Sequence, residues 1–429
     1  MTLPTLAPVT DVLADLEWRG LLAQTTDRAA LAIDLASGVL TVYCGFDPTA
    51  DSLHVGNLVP LLALRRFQLA GHRPIALAGG ATGFIGDPTG RTTDRMMLTP
   101  REISTRVVVI KRQMERFLSF DDGPTGAIMA DNLDWTAPMS ALDFLRDVGR
   151  HFPVNQMLAR ESVSARLESG GLSFTEMSYQ LLQSLDFVAL WRRHGCTAQI
   201  GGNDQWGNIT AGLDLLRRTE QASGHALTFP LVTDSAGQKL GKSSGGGNVW
   251  LHPTMTSPYA LWQFCLNVDD RDAGTYLRLL TFVGRDEVEA LDAETAERPF
   301  ARAAQRRLAD ELVALVHGAE EVVRVQAASA ALFGGGALGE LDEPTLRAAL
   351  AEAPSLQVTG QSPPVVDLLA DGLGLSRSDA RRAVKEGGAY LNNAKVVDEA
   401  AVPGESDWLH GRFLVLRKGK RNMLVVERA

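Results

Sequence analysis

Positive charge is scarce in this sequence. Its 429 residues carry 42 Lys+Arg against 51 Asp+Glu, a net charge of −9, which argues against a chain built wholly around nucleic acid. Cysteine is scarcer still. Cys44, Cys196 and Cys265 lie far apart with no Cys-x-x-Cys, which suggests neither a disulfide framework nor a zinc site and fits a reducing cytoplasm. No apolar run reaches the roughly 18 residues of a membrane-spanning helix, so no membrane partner is expected. The opening residues, Met-Thr-Leu-Pro-Thr-Leu, lack a basic stretch followed by an apolar core, and no secretory leader is expected. Hydrophobic content of 45% and charged content of 22% are globular values, and the length predicts two or three domains.

The shortage of positive charge is uneven. Residues 361–429 hold eleven Lys+Arg and nine Asp+Glu, so the tail is mildly basic and the rest acidic. That distribution suits one RNA-binding module attached to an enzyme.

Short apolar strands alternate with helices through the first half. Strands are predicted at 39–46, 74–78, 127–130, 197–200 and 229–233. Helices are predicted at 11–24, 27–37, 56–70, 100–118, 138–149, 154–168, 174–194 and from about 206 to 218. On the 56–70 helix, Leu58, Leu61, Leu62 and Phe67 form the apolar set and Arg65 and Arg66 the polar one. The alternation predicts a parallel sheet covered on both faces, and ligands of such sheets bind beyond the strands' carboxyl ends. The polar loops Asp47–His54, Gly79–Arg91, Asn132 and Gly201–Gln205 all fall at such ends, so one shared site is expected. His54, Val55 and Gly56 open a helix, where free N–H groups and a partial positive charge suit a phosphate. An exposed histidine at a strand–helix joint is the other reading of the same residues.

After Thr233, a run rich in glycine and serine predicts a mobile loop with Lys239 and Lys242 as its cations. It is either a solvated turn or a loop that brings two ammonium groups onto phosphates. Residues 257–350 read as helical. Residues 352–364 read as a linker, and helices at 365–373 and 376–386 precede strands at 390–392, 413–417 and 422–426. Arg377, Arg381, Arg382 and Lys385 lie along the second of those helices, and Arg417, Lys418, Lys420 and Arg421 form a basic hairpin tip. Together they are candidates for RNA contact.

His54-Val55-Gly56-Asn57 and Lys239-Leu240-Gly241-Lys242-Ser243 resemble the His-Ile-Gly-His and Lys-Met-Ser-Lys-Ser signatures of class I aminoacyl-tRNA synthetases. Tyr43–Thr49, Gly79–Pro88 and Gly202–Asn208 resemble the bacterial-type tyrosyl-tRNA synthetases in particular. The tail resembles their small RNA-binding domain, which also occurs in a ribosomal protein. The resemblance implies an α/β fold: a Rossmann-like catalytic domain at 1–232, the signature loop and an α-helical domain at 233–350, a linker at 351–362 and a small α+β RNA-binding domain at 363–429. It implies activation of L-tyrosine by ATP with Mg2+, release of diphosphate, and transfer of tyrosine to the terminal adenosine of tRNA(Tyr). No metal held by the protein itself is implied. A cytoplasmic homodimer is implied.

The same resemblance assigns residues. Thr49, His54, Lys239 and Lys242 would act on the triphosphate, with Arg91 and Arg95 at neighbouring basic positions. Tyr43 and Asp186 would meet the phenol hydroxyl. Asp87, Tyr179, Gln183 and Gln205 would hold the rest of tyrosine, and Tyr179, Gln183 and Asp186 fall at i, i+4 and i+7 on one helix face. Cys44, Gly45, Asp47, Gly56, Asn57, Gly202, Asp204 and Ser243 would complete the ATP site. Asn57, Pro60, Arg91, Leu185 and the pair Leu240-Gly241 depart from the family's commoner residues. A synthetase for tryptophan, an RNA-binding protein without activity and a nucleotidyltransferase are the competing readings.

Overall fold

The structure is a computed structural model that describes residues 6, 8–87, 98–158, 173–235, 237, 240, 247–334, 336–351, 353–419 and 422–428. The chain divides into two compact units: Met1–Met255 with Asn267–Leu308, and Thr256–Leu266 with Ala309–Ala429.

The first unit is built on a six-stranded sheet of Gln24–Thr25 (β1), Thr41–Phe46 (β2), Arg73–Ala78 (β3), Ile128–Asp131 (β4), Ala198–Gly202 (β5) and His225–Phe229 (β6), in the order β1-β6-β5-β2-β3-β4. All neighbours pair in parallel except β1, which runs antiparallel to β6 at the edge. From β2 the chain builds outward through β3 and β4. It then returns to the other side of β2 for β5 and β6. The direction therefore reverses between β2 and β5, and a reversal of that kind opens a crevice at the strands' carboxyl ends.

The principal helices, numbered in chain order, begin with Val12–Trp18 (α1), Arg28–Ser37 (α2), Val55–Leu69 (α3), Pro100–Met114 (α4), Phe174–His194 (α5) and Trp206–Glu220 (α6). Their ends follow local rules. Asp11 and Asp27 cap α1 and α2, while Thr99 with Glu102 and Ser173 with Glu176 close reciprocal capping boxes on α4 and α5. Gly195, at φ 63°, ends α5.

Several sequence expectations need correction. α1 stops at Trp18 because Gly20 turns the chain at φ 74°, and residues 24–25 form β1. The strand expected at 229–233 lies at 225–229. Its polar members hid it, yet they are satisfied: His225 Nε2 meets Asp34 at 2.6 Å and Thr228 Oγ1 donates to Asn203 at 3.0 Å. The helix expected at 138–149 is a short α turn, a π turn and a 3-10 turn over residues 141–151. The 154–168 helix is described only at Val154–Leu158, and the rest falls outside the described residues.

Arg65 and Arg66, the polar residues of α3, are both buried. Arg66 is fully buried, donates to Thr281 O at 2.6 Å, lies 3.2 Å from Asp15 and stacks over Phe282. Burial, with Arg19 nearby, lowers the pKa of its guanidinium to about 9. α3 packs on β2, β3 and the helix Asp270–Leu280 (α8). A helix enclosed on several sides buries long cations only where carbonyls and a carboxylate receive them.

In the second unit, Pro258–Leu266 (α7), Ala319–Gly334 (α11) and Glu343–Leu350 (α12) pack together. Between α8 and α11 the chain forms Arg285–Glu297 (α9) and Ala303–His317 (α10). A five-stranded sheet follows, ordered β7-β11-β10-β8-β9, from Ser355–Val358, Ala389–Leu391, Ala394–Lys395, Phe413–Lys418 and Asn422–Arg428. Helices Val365–Leu373 (α13) and Arg377–Lys385 (α14) complete it around Leu368, Leu369, Leu414, Leu416, Leu424 and Val426. Residues read as a linker contain β7, which pairs in parallel with β11. Among the described residues no helix is long and apolar enough to cross a membrane.

Candidate active site

A cleft of about 260 Å³ opens at the β2–β5 reversal. β2 and its exit bring Tyr43, Cys44, Gly45, Asp47 and Thr49 to it, and β5 and the turn after it bring Gln199, Gly202, Asp204 and Gln205. α5 supplies Tyr179, Gln183 and Asp186, while Asn57 and Pro60 come from α3 and Asp87 from the glycine-rich loop. Each predicted loop therefore contributes some residues to the cleft, among them Asp47, Thr49, Gly79, Asp87, Asn132, Gly202 and Asp204.

A hydrogen-bond chain fixes one wall. Tyr179 Oη donates to Asp47 at 2.8 Å, and Thr82 Oγ1 donates to the other Asp47 oxygen at 2.6 Å. Asn132 Nδ2 donates to Thr82 at 3.1 Å and to Asp186 at 3.1 Å, and Trp135 Nε1 reaches the second Asp186 oxygen at 2.9 Å. Glycine is required beside this chain. A Cβ on Gly79 would stand 2.1 Å from Asp47 Oδ1 and 2.5 Å from Thr82 Oγ1. At the rim, Gln205 Nε2 donates to Asp87 at 2.7 Å, and Asn208 holds Gln205 at 3.2 Å.

The floor is electrostatically unusual. Asp186 is 3% exposed, and burial pushes its pKa up to about 7, against the two donors that stabilise its charge. The Tyr43 hydroxyl is buried with no hydrogen-bond partner, and its ring meets Phe187 edge-on at 5.4 Å. The side-chain oxygens of Gln183 and Gln199 are likewise buried and unpartnered. Buried polar atoms without partners are costly, so a group of them around one cleft points to a polar ligand. Cys44 is also buried, which raises its thiol pKa to about 12 and leaves it no role as a nucleophile.

His54 lies beside this lining and caps α3. Its Nδ1 accepts from Gly56 N at 3.0 Å, and its own N–H donates to Asn57 Oδ1 at 2.9 Å. With Nδ1 accepting, the proton of the neutral ring sits on Nε2. Gly56 is needed here, because a Cβ would come within 2.8 Å of the His54 ring. Asn57 thus keeps a structural task through its carbonyl, and its amide nitrogen is not used in that bond. Pro60 sits inside α3 and removes one helical N–H.

The first signature segment meets residues that follow the second in sequence. Leu53–Val55 pairs with Val249–Leu251 through Val55 N to Val249 O at 2.9 Å and Leu251 N to Leu53 O at 2.8 Å, with the His54 and Trp250 rings 6.1 Å apart. Leu240 is buried, and its carbonyl would lie 3.5 Å from a Cβ on Gly56. Lys239, Lys242, Ser243, Arg91 and Arg95 lie outside the described residues, as do Lys420 and Arg421. Among the described residues, no group of three or more His, Cys, Asp or Glu side chains could hold a metal.

Sequence reasoning missed Thr82, Trp135 and Gln199 as site residues and placed Asn132 only in a loop. Gln199 carried a usable signal, since it is polar in a strand otherwise buried on both faces. Trp135 carried none, because its partner is 51 residues away. In the second unit, Arg377 pairs with Asp367 at 2.8 Å and Arg382 with Asp379, while Arg381 and Lys385 are exposed.

A family model described as tRNA synthetases class I (W and Y) matches residues 36–334, and one described as the tyrosine-tRNA ligase SYY-like C-terminal domain matches residues 345–426. The chain is similar to the tyrosine-tRNA ligase of Streptomyces coelicolor, with 59% identity over 98% of this chain and 99% of the relative. It is 57% identical to that of Nocardia farcinica, over 97% of this chain and 99% of the relative. Among solved structures, a C-terminally truncated mitochondrial tyrosyl-tRNA synthetase of Aspergillus nidulans aligns with TM-score 0.69 and 29% identity, covering 76% of this chain and 95% of that one.

Proposed function

The chain belongs to the class I tRNA synthetases (W and Y), and from that membership we propose that it is a tyrosine-tRNA ligase whose cleft binds L-tyrosine and ATP. The observation that carries the tyrosine reading is the floor, where an unpartnered Tyr43 hydroxyl and the Asp186 carboxyl group are buried together. A phenol hydroxyl donates one bond and accepts another, and this pair supplies both partners. Phenylalanine would leave both unmet, which is a larger loss than any contact it gains.

The substrate ammonium group is met by Asp87, Tyr179 and Gln183. Gln205, held by Asp87 and Asn208, completes that wall. Gly45, Asp47, Thr49, Gly56 and Asn57 line the triphosphate path, and Gly202, Asp204 and Cys44 receive the ribose. His54 and Thr49 contact the triphosphate, and Lys239, Lys242 and Ser243 act on the departing diphosphate. The tyrosine carboxylate attacks the α-phosphorus, and the bond to the β-phosphate oxygen breaks. Tyrosyl-adenylate forms and diphosphate leaves with the Mg2+ that accompanies ATP. A hydroxyl of the terminal adenosine of tRNA then attacks the tyrosyl carbonyl, and AMP departs. No protein nucleophile is required, so the work is alignment and charge stabilisation.

The basic residues of α14 and the β10–β11 turn serve tRNA. Leu142, Leu145, Val154 and Phe174 are large apolar side chains exposed on one stretch of the first unit, which supports a homodimer through that stretch. The enzyme works in the cytoplasm. Tyrosine-dependent exchange of diphosphate into ATP tests the function, run beside phenylalanine and tryptophan. Exchange with tyrosine alone is expected. Exchange with tryptophan and not tyrosine would overturn the reading in favour of the other branch of the family.

A further inference from the structure

The last carbonyl groups of α11 have no donor within the helix. Two of them are met by side chains 62 and 85 residues further along the chain. Asn393 Nδ2 donates to Ala331 O at 2.6 Å and to Gly336 O at 2.9 Å. Arg417 Nη1 donates to Leu332 O at 3.4 Å, and a cation suits that end of a helix. Nearby, the His410 ring lies 2.8 Å from Leu341 O.

The Asn393 amide is aimed from a rigid base. Asn392 and Asn393 make the two-residue turn between β8 and β9 at φ 47° and 67°, a left-handed pair that asparagine tolerates. Asn392 is used inside the small domain, donating to Asp407 O and accepting from Val415 N at 2.9 Å. That leaves Asn393 as the turn's outward bond. Arg417 is half-buried and stacks over Tyr390 at 5.0 Å, which is not the setting of a free surface cation. Two ion pairs add ties to α12, Arg347 with Glu427 at 3.5 Å and Arg412 with Glu343 at 3.8 Å.

We propose that Asn393, helped by Arg417, locks the small sheet domain onto the carboxyl end of α11 and so holds the exposed cations Arg381 and Lys385 in the orientation that tRNA charging needs. Both are positioning residues for the transfer step. Arg417 is in this account a helix cap, where the sequence made it a phosphate contact. The inference rests on the tRNA-charging reading above, and that reading is tested separately by exchange in the unaltered protein.

The test uses the full chain with Asn393→Asp and Asn393→Gly. The first keeps the shape and replaces a donor by an acceptor facing two carbonyls. The second keeps the left-handed turn and removes the amide. Diphosphate exchange is expected within about twofold of the parent, while KM for tRNA rises on the order of tenfold. Neither variant removes a cation, so the dependence of tRNA binding on salt keeps its slope. Arg417→Lys is expected to retain part of the function and Arg417→Gln to lose it, again with the slope unchanged. Charging by both Asn393 variants at the parent level overturns the proposal. So does a salt slope reduced by about one in Arg417→Gln, which marks a direct phosphate contact. Loss of dispersed amide signals from residues 355–428 in both Asn393 variants also counts against it, because Asn393 would then hold the domain together and not in place.

Discussion

The cleft of the first unit and the small sheet domain of the second treat polar side chains in opposite ways. At the cleft, Tyr43, Gln183 and Gln199 each bury an oxygen with no partner, and Asp186 is kept near neutrality by burial. In the small domain, Asn392, Asn393, Arg377 and Arg382 are committed to other parts of the same unit. The cleft stores unmet hydrogen bonds for a ligand to satisfy. The small domain uses its asparagines internally and leaves Arg377, Arg381, Arg382 and Lys385 on its surface. Under the proposed function, the first arrangement would select a small molecule by shape and hydrogen bonding, and the second would offer charge to a large anion.

The strongest test of that contrast separates the two regions. Ending the chain after Ala353 is expected to leave tyrosine-dependent exchange within about twofold and to reduce tRNA charging by on the order of a hundredfold or more. The lost phosphate contacts and the lost orientation both fall on the second step. Ala353 is chosen because a cut beyond Val358 would strand β7 without its partner β11. Equal loss of exchange and charging would erase the division of labour.

Asp186→Ala is expected to have the next largest effect, now confined to the cleft. It strips Asn132 and Trp135 of their acceptor and removes the partner for tyrosine's hydroxyl. A loss of about 2–5 kcal/mol in kcat/KM for tyrosine is expected from exchange kinetics, with KM for ATP little changed. Tyr43→Phe is expected to be milder and to move two readouts in opposite directions. Tyrosine binding weakens by about 1 kcal/mol, while the unliganded protein gains thermal stability because a buried unpartnered hydroxyl is gone. A fall in both would mean that Tyr43 is bonded in the free protein.

The smallest effect is in pH. The Asp186 pKa is raised in the folded protein to about 7 from 3.8. Between those values the folded state holds more protons than the unfolded one. Its contribution to stability is therefore full below about pH 4 and declines as pH rises to about 7. Asp186→Asn should flatten that part of the stability–pH curve, measured by denaturant titration without ligand.

Much of this was legible in the sequence, and the exceptions share a cause. The strand–loop–helix joint at 41–55 and the 174–194 helix carry local signals: a proline break, capping residues and a 3.6-residue period. Tyr179, Gln183 and Asp186 share a helix face, so their convergence was visible too. What stayed hidden depends on partners remote in sequence. Arg65 and Arg66 read only as polar residues of their helix, because nothing local shows that Asp15 and Thr281 receive Arg66. β7 read as linker because its partner is β11. β6 was shifted because Asp34 and Asn203 satisfy its polar residues from elsewhere.

We propose that the floor of the cleft is built for a hydroxyl at the far end of an aromatic side chain. This is tested most directly by the equilibrium affinity of the unaltered protein for L-tyrosine against L-phenylalanine, measured by titration calorimetry without ATP. Tyrosine is expected to bind at least a hundredfold more tightly, about 2.7 kcal/mol, through its two bonds to Tyr43 and Asp186. Equal affinity for the two amino acids would contradict the claim.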